Sequence, residues 1–422
     1  MRSIITFSFL VLLQSFAFGQ SPQIKTEQFK QDFDFFWSKI NDQYCYFDNA
    51  FANWQKVKEI YAPIVDTITW RNQFVSILEK TFNEIYDHHA VLNTNTPNSQ
   101  RLVPSGTDIW AEYINGKPII TELRRGFGAE GSGIHPGMEV IAVNDIPVET
   151  AIVPLLPKAM NSITDDAKCY ALRLLLAGNH IHTRKFTLKY RNVSKEFFPD
   201  ATGMLLENIK YPTKIESKLV DNIGYIKIND CLYDNKLIPV FDSIMQTFKN
   251  TKSLILDLRE TPSGGNTLVA KAIIGWFIDK EHFYQKHEYF AEEKSSGIKR
   301  SWVEIVSPRK GKYYSKPLVI LCNHWTGSVG EGIVIGFDAL KRPKTKIMGT
   351  EMARLKGAVY TFQMPNTKIK FTFPAERLFH VNGLPREKYI PPLIIDWRKW
   401  EENQNRDEFM VKATQYLKKI SR

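Results

Sequence analysis

Two short stretches of this chain set out groups that could do acyl-transfer chemistry. In CNHWTGSVGEGIVIGF, residues 322–337, one hydroxyl residue, Ser328, stands between Gly327 and Gly330 where an apolar run gives way to helical spacing. A serine at a helix start can act as a nucleophile, because first-turn N–H groups and the positive dipole end are there to hold an oxyanion. The same place is a favoured seat for an N-cap serine, whose hydroxyl only accepts from the backbone. In LILDLRETPSGGN, residues 254–266, another apolar run ends in Gly264-Gly265. That pair either brings an N–H close to a substrate carbonyl or makes an ordinary tight turn.

A nucleophilic serine also needs a base. The candidates are His89 in DHHAVL, Lys356 in GTEMARLKGAVY and His324 in the loop just ahead of Ser328. Imidazole titrates near neutral pH, whereas a lysine must be desolvated before it gives up its proton. Lys356, close to Arg354 on a polar stretch, reads as a surface charge, so His89 is the favoured base and Lys356 the alternative. His324 reads as a residue that shapes the pocket. His180 and His182 have no third ligand near them and point to no metal site.

The elements that must position these groups fall into three regions. Residues 21–103 carry apolar positions at helical spacing, as in EQFKQDFDFFWSKI and NQFVSILEKTFNEI, with breaks near Asn49 and at Pro63. Residues 104–200 change to short alternating runs, IWAEYI, PIITEL, VIAVN and KFTLKY, separated by turn residues, which predicts a β-rich module. Residues 201–422 alternate strand and helix, with SLILDL and PLVILC apolar on both faces like interior strands of a covered parallel sheet. Both glycine loops therefore fall at strand C-terminal ends, where ligands bind in such sheets.

At 422 residues the chain is too long for one core. Residues 1–20, MRSIITFSFLVLLQSFAFGQ, read as a signal peptide and predict export to the periplasm or the extracellular space. No later run is long enough to span a bilayer, so no stable membrane insertion is expected. Cys45, Cys169, Cys231 and Cys322 are too scattered for a disulfide framework or a zinc knuckle. The charge of +11 is densest in SPRKGKYYSK and KRPKTK, with no nucleic-acid motif beside them, and is read as a solvated surface. No cofactor or metal is implied.

Together these stretches resemble the C-terminal-processing and tricorn-core serine peptidases, a group that includes the tail-specific proteases and the interphotoreceptor retinoid-binding repeats. LILDLRETPSGGN is similar to the family's strand and Asp-Leu-Arg-x-Asn-x-Gly-Gly loop, and TGSVGE to Thr-Ala-Ser-Ala-x-Glu. SGIHPGMEVIAVNDIPV, residues 132–148, is similar to a PDZ hallmark, DHHAVL to Asp-Gly-His-Thr-x-Leu, and NGLPREKYIPPLII to a C-terminal glutamate motif. The resemblance implies an α/β catalytic domain with a mixed, largely parallel, crotonase-like sheet, preceded by the helical segment and a PDZ-like module. It implies Ser328 as nucleophile, Glu331 as the family's glutamate, His89 as base and Glu387 as its acidic helper. Val329 with Gly264 or Gly265 would form the oxyanion hole.

The branch of the family that uses lysine would instead employ Lys356. Ala90 and His88 replace the hydroxyl and small neighbours of the family histidine, so no side-chain hydroxyl is evident to orient His89. The activity implied is hydrolysis of peptides or unfolded protein segments. The alternative is a weak or inactive binding protein for peptides or apolar ligands. In the module, SGTDIW, residues 105–110, would be the carboxylate-binding loop, where Asp108 would repel a carboxylate if it faced the groove.

Overall fold

The computed structural model describes residues 24–47, 54–202, 206, 209–396 and 406–420. The expected signal peptide and the break near Asn49 lie outside the described residues. Among the described residues no helix is long and apolar enough to cross a membrane.

Three sheets organise the chain. The first runs in the order Leu393–Ile394, Thr345–Gly349, Leu318–Cys322, Ser253–Asp257, Ile223–Ile228, Ile215–Val220. Its neighbours pair parallel except for the last two strands, which gives the mixed, largely parallel α/β sheet that the two-sided apolar runs require. Every residue of Ser253–Asp257 and Leu318–Cys322 is buried. Helices Thr267–Ile274 and Val329–Ala339 share a core with Leu254, Leu256, Ile320 and Trp276. Both helices follow the C-terminal end of a strand in this sheet, so the two glycine loops lie side by side. The isolated parallel bridge Thr261 to Thr326 ties one loop to the other.

The second sheet is antiparallel and is not visible in local spacing. Lys370–Phe379 pairs with Val91–Leu92, His282–Tyr289 and Ala358–Gln363, and Arg300–Val306 extends it. Helices Thr26–Gln43, Trp54–Val65 and Arg71–Asn83 pack against it through an aromatic seam, with Phe36 edge-on to both Phe82 and Phe371 at 4.9 Å. Asp32, fully buried, accepts from the N–H groups of Asn366 and Thr367 at 2.9 and 2.6 Å, so its charge is met by backbone donors. Pro63 sits inside Trp54–Val65 in its last turn, so the expected break comes just after the proline.

The third sheet holds Ile109–Ile114, Lys117–Leu123, Glu139–Val143, Phe186–Tyr190 and Val193–Phe197 in that order, with Ile146–Pro147 beside Glu139–Val143. Its helix Asp165–Ala177 begins where the Thr164 side chain accepts from Ala167 N–H and stops at Gly178, whose φ of 73° favours glycine. This β-rich module is fastened to the helical segment by Glu84, which accepts from the N–H groups of Lys158 and Ala159. The four cysteines are free thiols. Part of the basic surface is paired: Arg309 and Lys312 both meet Asp242.

Candidate active site

Ser328 is held in a backbone conformation that serine rarely adopts, φ 50° and ψ −108°, as the residue preceding helix Val329–Ala339. Such a strained strand-to-helix turn lifts a side chain clear of both elements. The hydroxyl makes no side-chain cap hydrogen bond; the backbone N–H of Ser328 instead donates to Glu331 Oε2 at 2.8 Å. Glu331 thus satisfies the N–H of the residue before the helix, and no cap hydrogen bond holds Oγ.

Gly264 explains why two glycine loops meet here. A Cβ on Gly264 would lie 2.5 Å from Ser328 Cβ, 3.1 Å from its Oγ and 3.3 Å from Val329 N, and its φ of 68° is left-handed. No other residue type fits that approach without a shift. Gly264 N–H donates to Thr261 O at 3.2 Å, so it is not the free donor that the Gly-Gly pair seemed to offer. Among the described residues, the N–H groups of Gly265 and Val329 are left without an acceptor.

His89 lies on the turn that joins the helical segment to strand Val91–Leu92, with its own N–H on Asp87 Oδ1 at 2.9 Å. Asp87 also accepts from Tyr44 Oη at 2.9 Å. The ring is oriented by a backbone atom rather than by the missing hydroxyl: Nδ1 lies 2.6 Å from the carbonyl oxygen of Lys356. A carbonyl only accepts, so Nδ1 carries the proton and Nε2 is the free acceptor. Burial pushes the imidazole down to about 4, with the Lys356 carbonyl opposing and nearby Arg386 adding to the fall. At neutral pH His89 is thus uncharged and able to take a proton.

Lys356 is not the surface charge expected from its loop. It is half-buried, and its ammonium lies 5.8 and 5.1 Å from the ring centroids of Tyr46 and Tyr86. That is an arrangement for holding a cation. The neighbouring carbonyls of Leu355 and Gly357 both accept from Arg386 Nη2, at 2.9 and 2.8 Å. Arg386 Nη2 in turn stands 3.9 Å from Glu331 Oε2. A chain of contacts therefore runs from the His89 ring through the Lys356 loop, Arg386 and Glu331 to the Ser328 N–H.

Arg386 carries no signal of its own in the sequence, because its motif points to its neighbour. Glu387 lies beside it with Oε2 buried and unpartnered, and burial raises its pKa against the pull of Arg386 and Lys356. Glu331 is fully buried, and desolvation lifts it to about 7 while Arg386 opposes. No hydrogen bond joins Ser328 Oγ to His89 or Lys356, which is common in substrate-free sites.

Residues 222–394 match the model of peptidase family S41, and residues 25–83 match that of the tricorn protease C1 domain. Residues 222–394 are a peptidase family S41 domain. It is a serine peptidase, and its substrate is a peptide or protein. Among solved structures the chain resembles mature CPAF at a TM-score of 0.58 and 15% identity, over 94% of this chain and 96% of that one. It also resembles the photosystem II D1 C-terminal processing protease at 0.53 and 14%, over 89% and 94%. Identities this low speak for the fold alone. No curated protein matches the chain in sequence.

The S41 domain is gripped by the β-rich module at both glycine loops. Glu122, at the end of the module strand Lys117–Leu123, accepts from Asn323 Nδ2 at 2.9 Å and Thr350 Oγ1 at 2.7 Å, and meets His324 Nδ1 at 2.5 Å. His324 also stacks on Trp110, 4.6 Å between centroids, so it braces the serine loop from the module side. Trp325 donates to Thr107 O at 2.8 Å. Two residues after Glu122, Arg124 is buried against Glu260 of the Gly-Gly loop. Nothing in local spacing marks Glu122 or Arg124.

Asp108 faces no groove. It is fully buried, paired with Arg184 at 2.6 Å and accepting from Ala129 N–H at 2.9 Å. His180 and His182 contact Asn95 and Asn179, and among the described residues no group of His, Cys, Asp and Glu could hold a metal.

Proposed function

We propose that this S41 peptidase hydrolyses peptides or unfolded protein segments through an acyl-enzyme on Ser328. The observation that carries the reading is the Ser328 turn, strained at φ 50° with its Oγ in no cap hydrogen bond. Ser328 Oγ attacks the scissile carbonyl carbon while His89 Nε2 takes its proton. The N–H groups of Val329 and Gly265 hold the oxyanion. Collapse of the tetrahedral adduct breaks the C–N bond, and the His89 imidazolium returns the proton to the leaving amine. Water, deprotonated by the same nitrogen, then releases the acid and restores Ser328.

In this reading Glu387 is the acidic helper near the imidazole, and Arg386 keeps the Lys356 carbonyl on Nδ1. The largely parallel sheet is read as crotonase-like, and the β-rich module as PDZ-like on the strength of SGIHPGMEVIAVNDIPV. The apolar leader supports export to the periplasm or the extracellular space. Labelling with a fluorophosphonate tests the nucleophile. An adduct should form on the native chain and be absent from Ser328→Ala; labelling that survives the substitution places the nucleophile elsewhere.

A further inference from the structure

A cavity of about 730 Å³ opens between the helical segment and the β-rich module, lined by His88 and Ala90 on either side of His89. Glu79 and Asn83 of helix Arg71–Asn83 line one wall and Tyr170 and Leu174 of helix Asp165–Ala177 another. The unbroken run of residues 90–95 forms a third. This run starts at the residue after His89. His88 lines the cavity as well, stacked on Tyr170 at 4.5 Å, with its Nε2 buried and unpartnered.

The run 90–95 contains the terminal strand of the antiparallel sheet. Val91–Leu92 pairs with Lys370–Phe379 on one side and with no described strand on the other. Asn93 N–H donates to Lys370 O at 2.9 Å. In an antiparallel pair the backbone groups of successive residues point to opposite sides. The N–H and C=O groups of Leu92 therefore face away from the sheet. An edge of this kind accepts another extended chain as an added strand. The apolar lining continues toward the serine loop: Val103, Tyr170 and Leu174 belong to the cluster that contains Trp325.

We propose that the cavity is a substrate subsite, in which an extended apolar peptide segment adds to the sheet edge at Leu92. Its side chains pack against Val103, Leu155 and Leu174, and His88 Nε2 meets a backbone or side-chain polar group. The proposal rests on the peptidase reading above, because the occupant is the substrate on either side of the bond that Ser328 attacks. Edge addition recognises main chain rather than particular side chains. It therefore selects unfolded segments over folded ones.

The test uses the full chain carrying Ser328→Ala and a fluorescein-labelled peptide of alternating valine and serine. Leu92→Pro removes an outward N–H, and Leu155→Trp fills the cavity. Each should weaken binding by about tenfold, the cost of a lost hydrogen bond or of lost apolar contact. The same peptide N-methylated at alternate amides should lose a similar factor on the Ser328→Ala chain. Absence of binding to the Ser328→Ala chain, or unchanged affinity in both variants at unaltered Tm, overturns the subsite. Fluorophosphonate labelling of the same variants with Ser328 restored separates the two claims. Labelling within twofold of the native chain leaves the nucleophile standing whatever the binding result, and loss of labelling from the native chain strikes the nucleophile alone.

Discussion

His89 and His287 are both withdrawn from water, and withdrawal acts against the charged imidazole in each. They end on opposite sides of the ordinary histidine value. His89 meets only a carbonyl at Nδ1, and burial carries it down to about 4. His287 lies on a central strand of the antiparallel sheet, with Nδ1 2.9 Å from Glu376 and Nε2 3.3 Å from Glu304. Burial lowers it too, but the hydrogen bonds to Glu304 and Glu376 outweigh that and raise its pKa. Glu304 and Glu376 come from the two flanking strands, so His287 staples three strands together. The partner, more than the burial, decides whether a histidine is a proton acceptor or a structural cation.

The two histidines should part most widely in activity. His89→Ala should lower kcat/KM by about 10²–10⁴, the usual worth of a general base, with Tm nearly unchanged. His287→Ala should leave kcat/KM within a few-fold at a temperature where the variant is folded. Full hydrolysis by His89→Ala together with its abolition in Lys356→Ala would reverse the choice of base.

Gly264→Ala comes next, because the new Cβ would press on Ser328 Cβ and lie 3.3 Å from Val329 N, the donor proposed for the oxyanion. A drop in kcat of about 10², with KM little altered, is expected from lost transition-state hydrogen bonding. A kcat unchanged within twofold would show that the two loops can move apart at no cost.

The staple is read in stability. His287→Ala leaves the buried Glu376 without its cation, while Glu304 keeps Lys271 at 3.0 Å, and should cost about 3 kcal/mol. A raised folded pKa means that the native state binds the proton more tightly than the unfolded chain does. The histidine's contribution is therefore fully present below about pH 6.5 and fades as pH rises through the raised value. Glu304 and Glu376 have lowered pKa values, so their share is present above about pH 4.3 and fades as pH falls through the lowered values. The Tm gap between the native chain and His287→Ala should accordingly be widest in mildly acidic buffer and narrow toward alkaline pH. A gap that widens with pH would contradict the charged form. His89 has the opposite sign: its lowered pKa favours the native state above about pH 6.5 and costs stability as pH falls toward 4.

The smallest effect is expected at Glu122→Gln, which keeps the shape of the clamp on the serine loop but weakens its charge-assisted bonds. A fall in kcat of about tenfold with KM unchanged would mark Glu122 as a positioning residue. A change in KM alone would move its role to substrate binding.

Much of the architecture is legible in the chain's own patterning. SLILDL and PLVILC had to be interior strands, because a covered parallel sheet is what buries such short runs on both faces. TGSVGE and SGGN had to sit at the ends of those strands, and helical spacing in EQFKQDFDFFWSKI marks a helix that runs from Thr26 to Gln43. The antiparallel sheet is hidden by contrast. Val91–Leu92 is too short to show alternation, and its partner Lys370–Phe379 is buried almost throughout, so neither carries a half-buried strand's pattern. Lys356 departs from expectation for a similar reason: flanking charges describe a loop's composition, not what packs over it.

The sequence by itself determined the local chemistry: a serine on a strand-to-helix turn, glycines where backbones must nearly touch, and a histidine at the end of the helical segment. Those properties depend on residue type and short-range spacing, and they survive any reasonable packing of the elements. Tertiary structure alone decided how the groups are tuned. The carbonyl that sets the His89 tautomer, the arginine that fixes that carbonyl's loop, and the Glu122 and Arg124 contacts on both glycine loops all come from distant parts of the chain. Hydrogen-bond direction and desolvation are set by what lies across a packed interface, and no spacing along a single segment contains that information.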